Sequence, residues 1–153
     1  MKNHLRRRKL IPLSLLTLAL ISSVFTSNCA RHLRIQMTAS KDLNSGGNPV
    51  TIRIYQLKNK ELFKQISFIE TFWKNDENEL KNDLVSAPTE LRLHPKESKE
   101  VKIKLSKEAR YIAAVANFAD LERLGWKSLK EIRSRRKILL INVNVNTIMI
   151  KDQ

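Results

Sequence analysis

Leu33-Arg34-Ile35-Gln36-Met37-Thr38-Ala39 and Val50-Thr51-Ile52-Arg53-Ile54-Tyr55, on either side of Lys41-Asp42-Leu43-Asn44-Ser45-Gly46-Gly47-Asn48-Pro49, decide the fold. Apolar and polar residues alternate in both flanks, the period of a strand with one buried face. The nine residues between them hold the densest turn chemistry of the chain, including two of its three glycines. A connection of that length is too long for a minimal hairpin turn.

Downstream the period changes. Leu62, Ile66, Ile69 and Trp73, with Phe63 and Phe72 beside them, form an amphipathic helical stripe whose polar face is Lys60, Glu61, Lys64, Glu70 and Lys74. Asn75-Asp76-Glu77-Asn78 is expected to break this helix. After Pro88 the strand period returns in Leu91 and Leu93, in Val101, Ile103 and Leu105, and in Leu139, Ile141, Val143 and Val145. Lys102 and Lys104 suit an edge strand, where charge discourages pairing with another chain. Residues 111–118 are nearly all apolar, as in a strand covered on both faces. Residues 129–132 and 147–150 complete seven or eight short strands. The fold class is therefore mainly β, a two-layer β-sandwich with a helical insertion after the second strand.

Ahead of this lies a different kind of sequence. Residues 1–9 carry Lys2, Arg6, Arg7, Arg8 and Lys9 without an acid, and residues 10–25 follow without a charge. A basic region, an apolar region and a short polar stretch stand in signal-peptide order. Sixteen residues rise about 24 Å as a helix, short of the roughly 30 Å hydrocarbon core, so cleavage is favoured over permanent spanning. The only cysteine, Cys29, follows directly and has no partner for an internal disulfide. Its position resembles the lipobox of bacterial lipoproteins, in which the thiol is lipidated and becomes the first residue. Thr26 and Asn28 stand where lipoboxes favour Leu and Gly or Ala. An uncleaved anchor and an unmodified thiol are the alternatives. On the lipobox reading, residues 1–28 are the signal peptide, 29–32 a lipidated tether and 33–153 the sandwich domain. Two or more acyl chains anchor firmly, since each buried methylene contributes about 0.8 kcal/mol. Ala30 is not the Asp associated with inner-membrane retention, so the resemblance implies the periplasmic face of the outer membrane.

Removing the leader leaves 125 residues, one domain in size, with twenty-four basic and fifteen acidic residues and a net charge of +9. That field attracts acidic protein surfaces or anionic head groups, and a secreted destination disfavours nucleic acid. Arg133, Arg135, Arg136 and Lys137 are the densest basic run, read as a solvated connection or as an electrostatic contact. His32 and His94 fall in no metal-ligand spacing, and no nucleophile elbow or phosphate-cradling loop occurs. The expectation is a protein without enzymatic activity, metal or cofactor other than covalent lipid on Cys29.

Further motifs run in a recognisable order: Asn48-Pro49-Val50, Tyr55-Gln56-Leu57, Phe63 and Phe68, Asp83-Leu84, Leu91-Arg92-Leu93-His94-Pro95, and Asn117-Phe118-Ala119-Asp120-Leu121 with Trp126. Together with the lipobox they resemble the TssJ family, outer-membrane lipoproteins of type VI secretion systems. The resemblance implies a transthyretin-like sandwich and a protruding loop between the first two strands that binds the periplasmic end of the inner-membrane protein TssM. Carried over, that loop is Lys41, Asp42, Leu43, Asn44, Ser45, Gly46, Gly47, Asn48 and Pro49, with Leu43 expected as an exposed apolar anchor ringed by Asn44, Ser45 and Asn48. Two departures stand out. Lys96 replaces the glycine of a Pro-Gly-Glu turn, which implies a different turn, and Ala119 replaces an arginine that could help hold the bend before Trp126. The implied function is a lipid-anchored subunit of a hetero-oligomeric envelope complex; the alternative is a periplasmic lipoprotein binding module of unrelated envelope function.

Overall fold

A computed structural model describes residues 31–67, 69–120, 125–133 and 138–153. The leader with Cys29, Ala30, Phe68, Leu121, and Arg135, Arg136 and Lys137 of the basic run lie outside the described residues.

Among the described residues eight strands appear: β1 (His32–Ala39), β2 (Val50–Leu57), β3 (Thr89–Leu93), β4 (Ser98–Lys104), β5 (Tyr111–Asn117), β6 (Lys127–Glu131), β7 (Ile138–Val143) and β8 (Ile148–Asp152). They form two four-stranded sheets, ordered β4-β1-β7-β8 and β3-β2-β5-β6. β1 runs parallel to β7 and antiparallel to β4, while β2 runs antiparallel to β3 and β5. Because β1 and β2 belong to different sheets, the connection between them carries the chain across the sandwich instead of closing a hairpin.

Alternation sets the faces. Leu33, Ile35 and Met37 of β1 point inward, with Ile103 and Val101 opposite them on β4 and Leu139 and Ile141 on β7. From the other sheet Ile52 and Ile54 face them, paired with Ala116 and Ala114 of β5. Among the described residues this core runs from Leu33 to Ile150. β5 is buried on both faces, as its unbroken apolar run predicts. Its second face, Ala113 and Val115, pairs with Tyr55 and Arg53 on the side where the helical insertion packs. β4 is an edge strand bearing Lys99, Lys102 and Lys104.

The insertion is two helices where the periodicity predicts one: α1 (Glu61–Gln65) and α2 (Ile69–Leu80). Ile66 turns extended after α1. The break lets Phe63 and Phe72 both reach the Tyr55 ring, at centroid distances of 6.4 and 5.7 Å. Leu62, at the start of the expected stripe, is exposed. Lys127 fixes the break from β6: its ammonium donates to the carbonyls of Phe63 and Lys64, at 3.0 Å each, and of Ile66. Such a cation complements a helix C-terminus, and burial pushes its pKa down from the usual lysine value.

The 75–78 segment also departs from expectation. α2 continues through it with a kink at Asn75, and Asp76 is buried. Asp76 Oδ2 accepts from Tyr55 Oη at 2.6 Å and from Arg53 Nη1 at 3.0 Å, while Arg53 Nε pairs with Glu90 at 2.7 Å. Arg53 also stacks 4.2 Å over the Trp73 ring. This network rivets α2 to the sheet. Opposite, Ser128 Oγ accepts from the Ile150 amide at 3.0 Å and Lys130 pairs with Asp152 at 2.7 Å, closing the corner between β6 and β8.

Candidate functional site

Strand direction gathers four connections at one end of the sandwich: residues 40–49 between β1 and β2, 94–97 between β3 and β4, 118–126 between β5 and β6, and 144–147 between β7 and β8. β1 starts at the opposite end, where Leu105 N donates to Arg31 O at 2.7 Å. An eight-residue strand at about 3.3 Å per residue separates the two ends by roughly 26 Å.

The 41–49 connection is held down where the sequence suggests that it protrudes. Leu43 is 0% exposed and belongs to the core, which corrects its reading as an exposed anchor. The cause lies in the backbone. Asn44 and Ser45 adopt left-handed conformations (φ 55° and 49°), and Gly47 N and Asn48 N both donate to Leu43 O, at 2.9 and 3.1 Å. This tight turn points Leu43 inward. Asn44, 7% exposed, is also corrected from rim to strut. Its amide donates to Val145 O at 2.7 Å, its Nδ2 to Pro49 O at 3.0 Å, and its Oδ1 accepts from Ala119 N at 2.6 Å. Asn is among the few residues besides Gly that tolerate the left-handed region, and its side chain satisfies neighbouring backbone.

Ser45 reaches the same neighbours. Its Oγ donates to Asn146 Oδ1 at 2.8 Å, and Asn146 Nδ2 donates to Asp120 Oδ2 at 3.2 Å. These bonds hold the 118–120 bend without the arginine absent at Ala119. Ala39 N donates to Glu97 O at 2.9 Å and Lys96 N to Ser40 O at 3.2 Å, docking the β3–β4 turn as well. Lys96 itself takes φ 62°, so the turn keeps the conformation that favours glycine despite the lysine, contrary to the expected change of turn. Gly125 completes the crown: a Cβ there would stand 2.8 Å from Thr147 Cγ2.

Of the nine sequence-designated residues, Lys41, Asp42, Ser45, Gly46 and Asn48 are exposed, and Gly47 and Pro49 are half-buried. Val145, 39% exposed, adjoins them: its carbonyl accepts from Asn44 N, and Ser45 bonds to the next residue, Asn146. The exposed apolar side chain beside this loop is Val145, not Leu43. Its alternation with Leu139, Ile141 and Val143 assigns it to the core, but β7 ends at Val143; the asparagines at 144 and 146 signal that ending. Cys29 lies outside the described residues.

Among the described residues no three His, Cys, Asp or Glu side chains come together as metal ligands, and no helix is long and apolar enough to cross a membrane. What the chain presents is two four-stranded sheets with a stapled crown of loops, which places it in the class of two-layer β-sandwich domains. The model of the family described as type VI secretion lipoprotein (VasD, EvfM, TssJ) matches residues 31–150, and the chain belongs to that family. The crystal structure of the T6SS lipoprotein TssJ1 from Pseudomonas aeruginosa is similar at TM-score 0.73 and 25% identity, over 81% of this chain and 97% of that one. A chain in a structure described as a type VI membrane complex matches at TM-score 0.70 and 23% identity, over 80% and 98%. A chain in a structure of the TssM C-terminal domain (869–1107) from EAEC matches at TM-score 0.61 and 21% identity, over 80% and 98%. No curated protein sequence matches. The family is a structural component of a secretion system, a lipoprotein of the cell envelope.

Proposed function

We propose that this chain is the outer-membrane subunit of a type VI secretion membrane complex. Acyl chains on Cys29 hold it to the periplasmic face of that membrane, and the loop crown grips the periplasmic domain of a TssM protein. Signal peptide 1–28 is removed in the process. The observation that carries the reading is the opposition of the two ends: β1 begins two residues after Ala30 and ends at the 41–49 loop, so an anchor at Cys29 directs that loop away from the bilayer. Family membership and the likeness to chains of a membrane complex and of a TssM structure support this choice of partner.

The contact surface on this reading is Lys41, Asp42, Ser45 and Asn48 around Val145, with Leu43 and Asn44 supporting it from within. Binding to purified TssM periplasmic domain tests it. A Val145→Asp, Asn48→Lys double substitution, on exposed positions, is expected to weaken binding at least tenfold while leaving the melting temperature within a few degrees; unchanged binding moves the contact elsewhere. The anchor has its own test. Clickable fatty acid should label the wild type and not Cys29→Ser, and the substituted protein should leave the outer-membrane fraction or accumulate as precursor.

A further inference from the structure

We propose that the end of the sandwich from which β1 springs is a lipid-facing surface that binds the phosphate head groups of anionic phospholipids through Arg31, Arg34, Lys102, Lys104, Arg110 and Arg133. The orientation it requires rests on the Cys29 anchor proposed above; the charge cluster does not.

Register brings the cluster together. Across β1 and β4, Arg34 stands opposite Lys102 and His32 opposite Lys104. Arg110 N donates to Leu57 O and Ile132 N to Arg110 O, so Arg110 and Arg133 lie at the same end, beside the chain exit at Arg31. All six basic side chains are exposed, and none of the six makes an ion pair among the described residues. Like charges set directly opposite on neighbouring strands are destabilising, so the Arg34–Lys102 pair works against the fold. An anion outside the molecule offsets that repulsion.

The acids do not. Of the described acids at this end Asp152 is held by Lys130, which leaves Asp83, Glu108 and Glu131, half as many negative charges as the six cations. The crown is different: Lys41 and Lys96 stand against Asp42, Glu97 and Asp120 among its described residues, a sum of −1. Positive charge is thus concentrated at the end that the anchor would bring to a bilayer. Two residues span at most about 7 Å, so acyl chains on Cys29 would hold Arg31 within one Debye length of the head groups. Cations spread over both sheets, Arg34 and Lys102 on β1 and β4 and Arg110 and Arg133 flanking β5 and β6, suit a surface of many phosphates better than a single small anion. Each Lys or Arg in reach of an anionic bilayer raises partitioning about fivefold.

The test uses residues 30–153, which contain every core residue of the described chain and lack the anchor, so its outcome does not depend on lipidation. Co-sedimentation is measured with vesicles of phosphatidylcholine and with vesicles in which about a third is replaced by phosphatidylglycerol. The expected result is binding to the anionic vesicles alone, falling as salt is raised. An Arg34→Gln, Lys102→Gln, Lys104→Gln variant should bind roughly 100-fold more weakly at an unchanged melting temperature, and a crown variant, Lys41→Gln, Lys96→Gln, should bind like the parent. No binding to anionic vesicles, equal binding to neutral ones, or equal loss in both variants overturns the proposal. Failure of fatty-acid labelling at Cys29 would instead sink the anchor and leave this result standing.

Discussion

Leu43 shows how one buried side chain decides what a loop can do. Its burial, the left-handed turn after it and the three bonds of Asn44 make the 41–49 segment a plug seated in the end of the sandwich. A plug has little conformational entropy left to lose when a partner binds, whereas a free loop of nine residues would lose a good deal. Leu43→Ala is therefore expected to act on stability, costing about 2–5 kcal/mol through lost burial and the cavity left behind. Thermal unfolding checks this directly. Substitution of exposed Asn48 by Ala should leave the melting curve nearly unmoved, and if Leu43→Ala does the same, the plug is not seated as described.

The two helices of the insertion depend on a few polar contacts. Asp76 is the hub: removing its carboxylate by Asp76→Ala strands the buried Tyr55 hydroxyl and leaves the Arg53 charge to Glu90 alone, at a cost of about 2 kcal/mol and roughly 7 °C in melting temperature. The same contact gives the fold a signature at high pH. The Tyr55 phenol is pushed well above its ordinary value near 10, first by burial and then by its bond to Asp76. Folded protein thus keeps a proton that the unfolded chain releases, so this stabilisation is complete below pH 10 and is lost as pH rises beyond it. Its share of the slope is about 1.4 kcal/mol per pH unit. In Tyr55→Phe the stability profile above pH 10 should be shallower by that one proton; parallel profiles would show that the phenol titrates normally. How much of this can be read ahead of the structure depends on periodicity. β1, β4 and β5 are legible because each has one environment per face over its length. Asp76 is not, since acids beside asparagines usually end helices and nothing local announces an arginine from β2, twenty-three residues earlier. Leu43 is illegible for a related reason: a single leucine among Asn, Ser and Gly has no period, and its inward turn depends on bonds to residues 119 and 145.

For the whole molecule the consequential property is polarity along the strands. β1 leaves one end and the crown caps the other, while β8 returns the chain to the first end, so both termini of the domain lie on the side away from the crown. A bilayer attached at either terminus leaves the crown free, whereas attachment at the β3–β4 turn would press it against the head groups. This can be built with residues 30–153 on nickel-chelating vesicles, using a polyhistidine tag before Ala30, after Gln153, or inserted beside Lys96. TssM periplasmic domain is expected to be recruited equally by the first two arrangements and at least tenfold less by the third, with all three binding it alike free in solution. Loss in the third arrangement then reflects steric closure and not damage to the contact. Equal recruitment by all three would mean that the partner reads the sides of the sandwich, and the crown would give up its role.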